Sequence, residues 1–222
     1  MSDPEERARH LALGTEHPDA DVARTLEEAA ATVRRRGALA AAGQIAEQSS
    51  RCTPPEEKLD VARRTMQAAE YHLDSGDPAR ARILLEGLLP DIPAGGMRAV
   101  ALQRLGWARY HEEGWAAAER LFEEAVTDVG VDGEISATLA LDRSMAALLS
   151  GDLPRAAVFA RSALDSAEAR GDQGLVGDAL AVAGSVAFLS GEGVPLEQMG
   201  RAVDIETWSR PRPTAAHPAV TG

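Results

Sequence analysis

The side chains here from which catalysis or metal binding could be built are five histidines (His10, His17, His72, His111 and His217), one cysteine (Cys52) and one lysine (Lys58), beside 35 acidic residues. Their spacing argues against most of that chemistry. A metal site on a helix needs ligands on one face, as in two histidines at i and i+4, and no two histidines share a helix at that spacing. The run His111-Glu112-Glu113 has groups for acid–base work, and it also reads as the polar end of a helix before its turn. Cys52 stands next to a helix start, where a thiol pKa can fall; a structural thiol is the plainer reading. A phosphate-cradling loop needs glycines and a lysine together, and Lys58 lies in Glu57-Lys58-Leu59 with no glycine beside it. Gly191-x-Gly193 lacks the third glycine and the preceding strand of a dinucleotide fingerprint, and it runs into Pro195. Paired acids such as Glu27-Glu28 and Glu123-Glu124 are explained as solvated helix faces. The expectation is a chain with no catalytic residues, no metal and no cofactor.

What organises the chain is a repeat. Gly37, Gly76, Gly114, Gly151 and Gly191 are spaced by 39, 38, 37 and 40 residues, each after an Ala-rich stretch. Gly76-Asp77-Pro78-Ala79-Arg80-Ala81 and Gly151-Asp152-Leu153-Pro154-Arg155-Ala156 are near copies. A period in this range marks stacked helical hairpins, each too small to bury its apolar face alone. Short turns make the two helices of a hairpin antiparallel. Hydrophobic residues make up 45% of the 222, aromatics only 4%, and strand-like runs of β-branched residues are absent; Ala and Leu, the strongest helix formers, dominate. The fold class predicted is all-α, a solenoid of about five antiparallel hairpins.

Local signals place the helices. Asp19 or Asp21 can cap a helix running to Arg36, with Arg34-Arg35-Arg36 complementing its negative end. Thr53-Pro54-Pro55-Glu56 reads as a capping box with Pro54 at the first helical position. Asp77 caps the helix that Pro78 begins. The second helix of the fifth unit, Leu196 to about Ile205, is the weakest element. Three segments result: 1–18 as a short helix and linker, 19–207 as the repeat domain, and 208–222 as a Pro-rich tail without order.

Charge and composition limit the partners. The net charge of −12 repels phosphate backbones, so no direct nucleic-acid contact is expected. One cysteine allows no internal disulfide, and no asparagine is present to accept a glycan. With neither a signal-like N-terminus nor an apolar run of membrane-spanning length, the expectation is a cytoplasmic chain without membrane contact. A terminal hairpin with no covering helix leaves homodimerisation through that end open.

The third unit resembles the tetratricopeptide signature. Leu102-x2-Leu105-Gly106 matches its first helix and Ala118-x3-Phe122-x2-Ala125 its second. Leu102 stands where Trp is usual, Arg109 where Tyr is usual, and the turn is one residue short. Other units keep the small-residue skeleton: Ala69 with Ala81, Ser144 with Ala156, and Gly184 with no evident partner. The period exceeds the usual 34 and approaches that of HEAT-type arrays, the alternative fold. In the signature register Gln103, Trp107, Tyr110 and His111 fall on the groove side of their helix, where they could receive a peptide, a protein segment or a small effector. Packing between repeats is the competing use of the same residues.

Arg7-Ala8-Arg9-His10-Leu11-Ala12 with His17-Pro18-Asp19, Ala41-Ala42-x-Gln44-x-Ala46 leading to Cys52-Thr53-Pro54, Gly76-Asp77-Pro78-Ala79-Arg80-Ala81-Arg82, and Trp208-Ser209-Arg210-Pro211-Arg212-Pro213 resemble the helical-repeat region of LuxR-type large ATP-binding transcriptional regulators of actinobacteria. One lysine beside 22 arginines fits a GC-rich genome. The resemblance implies a sensor or interaction segment between an ATPase and a helix-turn-helix. Neither flanking motif is in this sequence, so ATP and DNA binding do not carry over. The chain is expected to be a piece, or a shortened relative, of such a regulator, or else a free-standing scaffold.

Overall fold

The computed structural model describes residues 17–129 and 135–208. Ten α-helices lie among them: α1 (Ala20–Arg35), α2 (Leu39–Cys52), α3 (Lys58–Asp74), α4 (Pro78–Leu88), α5 (Gly96–Glu113), α6 (Trp115–Val129), α7 (Ser136–Leu149), α8 (Leu153–Arg170), α9 (Gln173–Leu189) and α10 (Leu196–Trp208). A 3-10 turn, Leu89–Asp91, follows α4. The short helix expected at the N-terminus, His10, the loop 130–134 and the tail from 209 lie outside the described residues.

Each of the five periodic glycines holds a left-handed backbone, with φ of +86° at Gly37, +79° at Gly76, +85° at Gly114, and +81° at Gly151 and Gly191. A side chain there would strain against its own backbone, which is why the turn residue recurs where other positions drift. Aspartates cap the helices after two of these turns, Gly76 and Gly151, and cap two other helices as well. Asp77 accepts from the Arg80 amide, Asp152 from Arg155 and Asp172 from Leu175, while Asp19 accepts from Asp21 and Val22.

The capping box expected at Thr53 does not form. Thr53 is buried and follows the end of α2; its hydroxyl donates to the Ser49 carbonyl at 2.9 Å and accepts from Arg64 at 2.9 Å. The α3 helix begins only at Lys58, after Glu57, with no side-chain cap. Cys52 is likewise the last residue of α2 and not beside a helix start. Burial, with the Asp19 carboxylate adding to it, raises its thiol pKa, so it is not an activated nucleophile.

The chain divides into two compact units, Met1–Pro93 with Trp107–Glu112, and Ala94–Gly106 with Glu113–Gly222; residues of α5 fall in both. In the first unit α1 packs on α2, α2 on α3 and α3 on α4. Its core gathers Ala23, Leu26, Ala30, Ala42, Ala46 and Tyr71. In the second, α7 packs on α8 and α8 on α9, α9 touches both α7 and α10, and the core is rich in alanine, with Ala147, Ala156, Ala160, Ala163, Ala167 and Ala179 fully or almost fully buried. Small side chains let helix axes approach closely. Two glycines sit at such close approaches, one against a rigid ring and one against a flexible side chain. A Cβ at Gly106 would overlap the buried Phe122 ring, and one at Gly184 would overlap the Met199 sulfur, so Met199 is the partner that the sequence left unidentified. The signature residues Leu102, Leu105, Ala118, Phe122 and Ala125 are all buried. The paired small positions also meet: the Ser144 hydroxyl donates to the Ala156 carbonyl at 2.8 Å.

Candidate functional site

The four residues singled out from the sequence lie along α5. Trp107, Tyr110 and His111 form one ring cluster in the first unit. The Tyr110 ring stands edge-on to Trp107 with centroids 5.4 Å apart, His111 lies 6.3 Å from Trp107, and Tyr110 and His111 are edge-on at 5.6 Å. The three differ in exposure. Trp107 is only 4% exposed, Tyr110 is half-buried and His111 is exposed. The indole is therefore a packed base, and the phenol and imidazole are what a ligand could reach. On either side, Arg109 pairs with Glu86 at 2.5 Å and Glu112 pairs with Arg82 at 2.8 Å. Gln103 is engaged elsewhere: its amide donates to the buried carboxylate of Asp142 on α7.

Around these helices the first unit carries charge pairs that the sequence did not reveal. Glu27 on α1 accepts from Arg63 and from Arg64 on α3, the latter at 2.9 Å. The Arg63 hydrogen bond is the largest cause of the fall of the Glu27 carboxyl to about 2. Arg34 binds Asp74 through two nitrogens, at 3.0 and 2.5 Å, and lies 4.8 Å over the Tyr71 ring. Glu47 accepts from Arg80 and Arg51, and the Arg80 contact does most to keep its carboxyl below the usual range. His72 is buried 3.5 Å from Glu47 and 3.8 Å from Asp77, and burial pushes its pKa down. The only sequence signal for these pairs was that acidic and basic residues recur on facing helices nearly one repeat apart, 37 residues for Glu27 and Arg64 and 40 for Arg34 and Asp74.

These groups hold helices together. They do not converge on a cleft, and among the described residues no group of three or more His, Cys, Asp or Glu is placed to hold a metal ion. No described helix is long and apolar enough to cross a membrane.

Antiparallel hairpins turning at left-handed glycines, closed by small-on-large contacts such as Gly106 on Phe122, define the class: a tetratricopeptide-like helical-repeat fold. Among solved structures the chain is similar to BtubC (BKLC) from P. vanneervenii, at 16% identity and a TM-score of 0.67, covering 94% of this chain and 91% of that one. It is also similar to two crystal structures of MamA. One is 15% identical with a TM-score of 0.56, covering 81% of this chain and 95% of that one. The other is 14% identical with a TM-score of 0.55, covering 83% and 92%. At these identities the likeness is one of fold. No protein-family model matches the chain, and no curated protein matches it with significance.

Proposed function

We propose that this chain is a non-catalytic interaction module that holds a protein or peptide segment against the α5 surface where Tyr110 and His111 stand on Trp107. The observation that carries the reading is the contrast in exposure within that ring cluster: a buried indole fixes two accessible rings, each apolar in body and polar at the tip, without fresh ordering on binding. The charged groups nearby support it, because Arg109, Arg82, Glu86 and Glu112 already have partners and frame the rings without competing for them. A small effector with an aromatic or cationic group would meet the same surface.

The test is selection of binders from a random peptide library on the immobilised full-length chain. Tyr110→Ala with His111→Ala is expected to weaken selected peptides about tenfold or more with an unchanged circular dichroism spectrum. Selection of nothing by the intact chain, or full binding by the double variant, would count against the reading.

The regulatory context of the LuxR-type resemblance is a narrower form of this proposal, and it rests on the motifs quoted above. Its check is whether the coding sequence continues into an ATPase on one side and a helix-turn-helix on the other; a free-standing scaffold is the alternative. Homodimerisation through the last hairpin has its own support, since α10 leaves Leu196 and Val203 exposed at i and i+7. Light scattering across a concentration series measures it.

A further inference from the structure

Arg34, Arg64 and Arg143 are arginines whose side chains are largely buried between helices, and the third lacks what the first two have. Arg34 and Arg64, 18% and 7% exposed, each hold a carboxylate of another helix, Asp74 at 2.5 Å and Glu27 at 2.9 Å. Arg143 on α7 is 16% exposed, yet among the described residues its side chain makes no hydrogen bond. Its Nε–H is out of reach of solvent and has no acceptor. Glu123 on α6 stands 3.5 Å from Nη2, beyond the roughly 2.8 Å of a charge-assisted hydrogen bond, and its own side chain is 57% exposed. Burial pulls the Arg143 pKa below the usual arginine value, and Glu123 offsets that only in part.

The guanidinium is held in place all the same. It lies over the Phe159 ring of α8, 4.1 Å from the centroid, while Arg155 stands 5.8 Å from the same ring and 5.9 Å from that of Trp115. Arg155 is already engaged: it pairs with Glu119 on α6 and lies 4.0 Å from Asp152. The α6 helix packs on α7 and α7 on α8, and all these groups belong to the second unit. Stacking on a ring uses the face of a guanidinium and leaves its edge for an anion. A charge taken out of water without a hydrogen bond is costly until an acceptor completes it. We infer that Arg143 is an anion subsite that takes a carboxylate in place of Glu123. The surroundings select the class. A carboxylate that displaces Glu123 into solvent leaves the local charge as it was, whereas a doubly charged phosphate adds to that of Glu119, Asp152 and a chain of net charge −12. The ligand is an acidic side chain of a partner protein or a free small acid, since both present the same two oxygens to the arginine fork. The subsite uses other helices than the Tyr110–His111 cluster, and the reading of that cluster stands or falls without it.

The test is titration of the ¹⁵N-labelled full-length chain at constant ionic strength, followed through the backbone amides of Glu123, Arg143 and Phe159. Four probes are added in turn: acetate, a short peptide blocked at both ends with one glutamate, the same peptide with glutamine, and inorganic phosphate. Acetate and the glutamate peptide are expected to give saturating shifts, the glutamine peptide none, and phosphate weaker ones. Arg143→Met, which keeps an apolar stem against Phe159, should abolish the shifts without lowering the melting temperature. Glu123→Gln removes the competing carboxylate and should tighten binding about two- to fivefold. Tighter binding of the glutamate peptide than of acetate places the ligand on a partner protein, and equal binding places it on a free small acid. No saturating shift with either carboxylate, shifts that persist in Arg143→Met, equal response to the glutamine peptide, or tighter binding of phosphate would overturn the inference. So would equal destabilisation by Arg143→Met and Glu123→Gln, which would make the two residues a structural ion pair. Library peptides that depend on Tyr110 and His111 keep the module reading whichever way this titration falls.

Discussion

The two compact units reach helix packing by different physical means. In the first, long charged side chains reach from one helix to the next, as Arg63 and Arg64 do to Glu27, Arg34 to Asp74 and Arg80 to Glu47. In the second, small residues bring backbones close, as Gly106 does under Phe122 and Ser144 against Ala156. Charge pairing ties those side chains to their own neighbours and leaves the Tyr110 and His111 rings as the part of that surface open to a ligand. The second unit has ion pairs too, as Arg98 with Asp128 and Arg201 with Glu168, but its core is built largely of alanine, and the leucines and phenylalanine at its helix ends stay exposed. Stability in the first unit should therefore answer to pH, and in the second to volume.

The strongest way to break this contrast is to remove one member of a buried pair. Arg64 is almost fully buried, so Glu27→Leu strands its charge and is expected to cost about 3 kcal/mol, whereas Glu27→Leu with Arg64→Met should recover most of the loss. Urea unfolding of both variants checks it; a double variant as unstable as the single one would show that the pair was not the issue.

Volume is the next lever. Gly106→Ala sets a Cβ into the Phe122 ring and should cost about 2 kcal/mol despite the better helix propensity of alanine. Gly43→Ala meets the His72 ring at 3.1 Å, a milder conflict that propensity largely offsets, so it should lie within about 1 kcal/mol of wild type. Equal midpoints for the two variants would erase the distinction between the units.

Acid should act on one unit first. The Glu27 carboxyl is lowered in the folded state, so its contribution is present above the unfolded value near 4.5 and is lost as pH falls toward about 2. Glu47 is shifted the same way. His72 is also lowered, meaning that the fold holds the neutral imidazole and is disfavoured as pH drops below the unfolded value near 6.5. All three belong to the first unit. Hydrogen exchange of α1–α4 should accelerate on acidification before that of α7–α9, and simultaneous loss would contradict the assignment.

The smallest effects separate a working cap from an apparent one. Asp152→Ala removes an acceptor for the Arg155 amide and should cost about 1 kcal/mol. Glu56→Ala should change the melting temperature by almost nothing, because Glu56 is exposed and the box that would have used it does not form. A comparable loss from Glu56→Ala would restore the capping box.

Some of the candidate site could be read from the sequence, and its division of labour could not. The signature register put Trp107, Tyr110 and His111 close together on one helix, and the rings do touch. That the indole is buried while His111 is exposed depends on what packs around α5, and no spacing along the chain contains it. Gln103 looked like a groove residue by the same register, yet Asp142, 39 positions away, takes its amide. Thr53 misled for a related reason: Thr-Pro-Pro-Glu has the local form of a helix start, but a hydroxyl buried beside Ser49 and Arg64 satisfies itself there first.

Sequence by itself determined what depends on a residue and its near neighbours along the chain. Glycine alone adopts a positive φ without strain, an aspartate carboxylate reaches an amide three residues on, and apolar residues recurring every three or four positions set a helix period, so the turns, the aspartate-capped helix starts and the hairpin count were written locally. Only the tertiary structure decided which charges would be neutralised and which apolar side chains would remain open. A carboxylate becomes a structural tie, and a leucine becomes a surface for another molecule, according to what a different helix some forty residues away brings within a few ångströms.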